Sequence, residues 1–74
     1  MDKQKLLGLL QIARERAERA NLESIVQARL ISELEKEGRE TGSAEIQLAS
    51  WKMKEQKLLR EMDWILDRLD KFDH

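Results

Sequence analysis

Few side chains in this sequence could do chemistry. Asp63, Asp67 and Asp70 recur at steps of four and three, which sets three carboxylates along one helix face. Carboxylates so spaced can hold a divalent cation when they point into a bundle. Here a heptad reading turns all three outward, and the Glu-x-x-His motif that completes bundle metal sites is missing. No metal and no cofactor is therefore expected. Ser24, Ser32, Ser43 and Ser50 have no base beside them, because the one histidine is the terminal His74. No glycine-rich phosphate loop follows a strand pattern. The chain does not read as an enzyme. Glu55 is the one polar residue with a special position, since it interrupts an apolar seam. Two readings are open for it: a register-setting polar layer with Gln27, which we prefer, or a proton-responsive carboxylate.

The cations offer a second kind of chemistry. Arg14, Arg16 and Arg19, with Arg29 further along, are the most basic stretch and the candidate nucleic-acid contacts. Glu15 and Glu18 are interleaved at pairing distances from Arg19 and Arg14, so a solvated, salt-bridged face is the simpler reading. Across 74 residues, 14 basic side chains balance 15 acidic ones for a net charge of −1. The sequence alone gives no matching basic face, and such a balance lacks the field that drives phosphate-backbone binding.

The elements that position these groups are legible from periodicity. With no proline and three glycines, the chain has one clear break, Gly38-Arg39-Glu40-Thr41-Gly42-Ser43. Gly38 suits the left-handed position that ends a helix, and Thr41, or alternatively Ser43, can cap the next. One domain, 1–74, is expected: a helix over about 2–37, a turn at 38–42 and a helix over about 43–72. In the first helix Leu6, Leu10, Ala13, Ala17, Ala20, Ser24, Gln27, Ile31 and Leu34 follow steps of four and three. Ala44, Leu48, Trp51, Glu55, Leu58, Met62, Ile65, Leu69 and Phe72 do the same in the second. Leu48, Glu55, Met62 and Leu69 take heptad position a, and Ala44, Trp51, Leu58, Ile65 and Phe72 position d. A short turn makes the helices antiparallel. Placing Leu34 opposite Leu48 pairs Gln27 with Glu55 and three alanines with large side chains, an alternation that packed cores favour. The fold class is all-α, an antiparallel hairpin.

Two helices do not use up the apolar surface. Leu59 and Leu66 fall on position e of the second helix. Leu7 and Ala28 fall on e of the first, and Leu9 and Leu30 on g. Stripes this wide belong to bundles of more than two helices. A chain this small with no cysteine also has no disulfides to staple it. The expectation is a homodimeric four-helix bundle whose core is Leu6, Leu10, Ile31, Leu34, Leu48, Trp51, Leu58, Leu59, Met62, Ile65, Leu66, Leu69 and Phe72. Leu22, Ile25, Val26, Met53 and Trp64 lie off the seam, with Ile46 beside them. They either join the dimer core or form a patch for a heterologous protein, with Trp64 as its anchor. No run is long and apolar enough for a membrane span, and Met1-Asp2-Lys3 does not open a signal peptide, so a cytoplasmic protein is expected.

Ile31, Leu34, Gly38, Thr41, Ala44 and Leu48 form an Ile-x-x-Leu, Gly, Thr, Ala-x-x-x-Leu pattern. It resembles small proteobacterial helical-hairpin proteins, mostly uncharacterised, over about a quarter of the chain. The resemblance implies the hairpin and no established activity. The architecture is also similar to Rop-like dimeric four-helix bundles of plasmid copy control, which implies binding to paired RNA loops. The leading expectation is a non-enzymatic interaction protein, a small bacterial adaptor or regulator, with a Rop-like nucleic-acid-binding regulator as the alternative.

Overall fold

The computed structural model describes residues 2–72; His74 lies outside them. The chain is an all-α helical hairpin. Helix α1 runs Lys3–Lys36 and helix α2 runs Gly42–Phe72. The radius of gyration is 16.8 Å, against about 11 Å for a compact chain of this length, and the molecule is a rod of 57 × 15 × 13 Å. Neither helix is long and apolar enough to cross a membrane.

Local chemistry sets the ends. Asp2 stays extended and its Oδ1 accepts from the Lys5 N–H at 2.8 Å, which satisfies one of the orphan donors of α1. Asp2 thus caps the helix rather than belonging to it. At the other end Gly38 takes φ +69°, a left-handed conformation that costs an L side chain about 1–2 kcal/mol. Its N–H donates to the Glu35 carbonyl at 3.1 Å, and the Arg39 N–H donates to the Leu34 carbonyl at 2.9 Å. These two bonds are the Schellman pattern, which closes a helix on its own last carbonyls. The Glu45 N–H donates to the Thr41 carbonyl at 2.9 Å, so Thr41 stands at the cap position of α2 while Ser43 lies inside the helix.

The seam of α1 is inside as the heptads require. Leu6, Leu10, Ala13, Ala17, Ala20 and Ser24 are buried, and Gln27, Ile31 and Leu34 half-buried. On α2, Ala44, Ile65 and Leu69 are buried. Leu48, Trp51, Glu55, Leu58 and Met62 are half-buried. Ser24 needs no partner across the seam, because its hydroxyl donates back to the Ala20 carbonyl at 2.9 Å.

The register departs from the sequence-based alignment at the open end of the hairpin. Leu6, Leu10 and Ala13 form one core cluster with Ile65 and Leu69, flanked by Met62. Leu6 is only 2% exposed while Phe72 is 50% exposed. An alignment of Leu10 with Phe72 would leave Leu6 beyond the end of α2, where nothing could cover it. Ala13 shares a groove with Ile65, Ala17 with Met62, and Ala20 with Leu58. The Schellman closure ends α1 at Lys36 and leaves a short turn before α2 begins at Gly42. Glu55 lines a groove with Arg14, Ala17, Glu18 and Asn21 of α1. Phe72, expected in the core, is left half uncovered at the open end.

Candidate functional site

The seam has two flanks, and they differ in charge. In an antiparallel pair, e positions border e positions and g positions border g positions. On the e flank, Arg14, Ala17, Glu18, Asn21, Glu55, Leu59 and Met62 line a groove of about 350 Å³. Its floor is small, because Ala17 and Asn21 face the larger Leu59 and Met62. Leu7, Leu59 and Leu66 are on this side, and all three stay exposed in the hairpin.

The g flank holds two grooves that share Arg16 and Glu61. Arg16, Arg19, Ala20, Trp51, Lys54, Lys57, Leu58 and Glu61 line the central one, about 370 Å³ in volume. Leu9, Ile12, Ala13, Arg16, Glu61, Trp64 and Ile65 line the other, about 200 Å³. Each tryptophan carries a cation. The Lys54 ammonium sits 4.5 Å from the centre of the Trp51 ring, and the Arg68 guanidinium 4.8 Å from that of Trp64. Such pairs are worth about 0.5–1 kcal/mol at exposed sites and hold the cation in place.

Helical position extends this contrast along the whole rod. On the g and c positions, Lys5, Arg16, Arg19, Lys54, Lys57, Arg68 and Lys71 stand against Glu23, Glu33 and Glu61. On the e and b positions, Arg14 and Lys52 stand against Glu18, Glu35, Glu45, Asp63 and Asp70. A chain of near-zero net charge is therefore a rod with one basic and one acidic side.

The structure divides the sequence-predicted cations. Arg14 is on the e flank, Arg16 and Arg19 are on the g flank, and Arg29 is exposed at an outward f position. Among the described residues, Arg14–Glu18 and Glu15–Arg19 do not close to ion-pair distance. Instead the Gln11 Nε2 donates to Glu15 Oε1 at 3.4 Å. Sequence reasoning passed over Lys54, Lys57, Arg68 and Ile12. The i, i+3 spacing of Lys54 and Lys57 was the available signal, but only the register sets it opposite Arg16 and Arg19.

The off-seam apolar residues do not make one patch. Leu22 and Met53 are exposed at f positions of different helices and so face away from one another. Met53 borders Lys54, Gln56, Lys57 and Arg60, while Trp64 lies in the g-flank groove with Leu9 and Ile12. Ile25 and Val26 are exposed nearer the turn, on e-flank and g-flank positions respectively. Asp63, Asp67 and Asp70 are exposed, and Asp67 pairs with Lys71 at 3.4 Å. Among the described residues no group of three potential ligands gathers for a metal ion. No family model, no curated protein and no solved structure matches the chain.

Proposed function

We propose that this chain is a non-enzymatic interaction module, an adaptor or regulator of the cytoplasm. It acts as a homodimeric four-helix bundle in which two hairpins pack e flank to e flank. One observation carries the reading. Leu59 and Leu66 are 46% and 47% exposed in the hairpin, beside a groove floored by Ala17. Each of these half-exposed leucines forgoes about 1 kcal/mol of further burial. The groove gives a leucine of a second copy a hole to fill, as knobs fill holes between helices.

Size supports a second copy as the occupant. One flank of a rod 57 Å long and 15 Å wide presents roughly 850 Å², close to the ~800 Å² per partner of a standard stable interface. The choice of flank follows from what borders the seam. Position e offers Leu7, Leu59, Leu66, Ala28 and Asn21 beside Arg14, Glu35, Glu45 and Lys52, whereas position g offers Leu9, Leu30 and Gln47 beside Arg16, Glu23, Lys54, Glu61 and Arg68. Burying the latter set would desolvate unpaired charge. The acidic residues of the e side sit mainly at b positions, at the rim of such an interface and near water.

The test is a paired substitution, Leu59→Glu with Leu66→Glu. Both side chains are already exposed within one hairpin, so the seam is left intact. The dimer should dissociate in sedimentation analysis, and the melting temperature should become lower and independent of concentration. Retention of the dimer by this variant would refute e-flank packing.

A further inference from the structure

We propose that the basic flank is a track for single-stranded nucleic acid, centred on the groove between Arg16, Arg19, Lys54 and Lys57. The track does not depend on self-association, because it lies on the opposite side of the rod. Three observations converge on it. The four cations come from both helices and close around one groove of about 370 Å³, whose lining includes a single acid, Glu61. Among the described residues, none of the four is neutralised by a carboxylate within ion-pair distance. Both tryptophans of the chain lie along this same flank, one in each of its two adjoining grooves.

Cations that track a backbone, joined to aromatic rings on which bases stack, are the two parts of a sequence-tolerant single-strand site. Trp51 and Trp64 are thirteen positions apart on α2, which spaces them by ~20 Å along the rod. At ~3.4 Å per stacked nucleotide that span accommodates several bases. Lys54 and Arg68 each lie over a face of one ring, so a base that stacks there displaces the cation toward its own phosphate. An acidic protein segment would answer the charge but would leave the aromatic pairing without a purpose. The near-neutral total charge is no obstacle, because seven cations stand against three acids on the g and c positions, and the local field at the groove is positive.

The experiment titrates the full chain with an oligouridylate of roughly ten nucleotides, within the range of single-strand site sizes. Tryptophan fluorescence is read at low and at moderate salt, with polyglutamate of matched charge as the comparison. The expected result is saturable quenching by the oligonucleotide and none by polyglutamate. The affinity should fall with salt at a logarithmic slope of roughly −2 to −3, as three or four phosphate contacts require. Arg19→Glu with Lys57→Glu should weaken binding tenfold or more, while Arg14→Glu with Lys52→Glu on the other flank should change it less than threefold. Leu59→Glu with Leu66→Glu should still bind through each hairpin, which separates failure of the track from failure of the dimer. All the substituted charges are exposed, and circular dichroism checks that helix content is kept. If a reversed pair unfolds, Arg19→Gln with Lys57→Gln replaces it and should still weaken binding at least threefold. Absence of binding at low salt, equal quenching by polyglutamate, or equal loss from both flanks would overturn the proposal.

Discussion

At the scale of single residues, the molecule separates positions that fold the chain from positions that are free to change. Gly8 lies inside α1, and a Cβ built there meets nothing within 4 Å. Its only effect is to weaken the helix, so Gly8→Ala should stabilise by about 1 kcal/mol in urea denaturation. An unchanged or lower midpoint would show that the glycine serves a contact the hairpin does not contain. Glu55 is half-buried on the seam, in a groove with Asn21, Leu59 and Met62. Without a partner across the seam, the carboxylate sets no register that an apolar side chain would lose. Glu55→Leu should raise the melting temperature, with a gain of about 1 kcal/mol from added apolar burial. A fall in stability would mean that the carboxylate has a partner in the assembled molecule.

At the scale of the elements, the turn decides more than its five residues suggest. Gly38 is at φ +69°, and a Cβ there also finds open space, so Gly38→Ala carries a conformational cost alone. The expected loss is about 1 kcal/mol, of opposite sign to Gly8→Ala in the same assay. A turn that tolerated alanine without loss would contradict that cost. The heptads were legible in the sequence because they depend only on local period, and Leu6, Ala13, Ala17, Ile65 and Leu69 are buried where that period puts them. The register was not legible. Sliding one helix by a turn, ~5 Å, keeps every a and d position inward, so apolar pattern alone cannot choose between alignments. For the same reason the basic groove was invisible: the sequence-based alignment sets Arg19 level with Asp63 and hides its approach to Lys57. The separation of Arg14 from Arg16 and Arg19 could have been read from their heptad letters, e against g and c.

At the scale of the whole molecule, a rod of two helices with one acidic and one basic side assigns different work to each. The e flank has the leucines and the small-floored groove that a second hairpin completes. The g flank has the basic groove and both tryptophans. Such a dimer would carry its basic tracks on opposite outer faces, and disrupting one flank should leave the function of the other in place. Sedimentation equilibrium of the wild-type chain in the micromolar range tests the central claim most directly. The predicted result is a single species at twice the chain mass of 8.8 kDa, reduced to one chain mass by Leu59→Glu with Leu66→Glu. A well-folded wild-type monomer with a sharp, concentration-independent melt would contradict it.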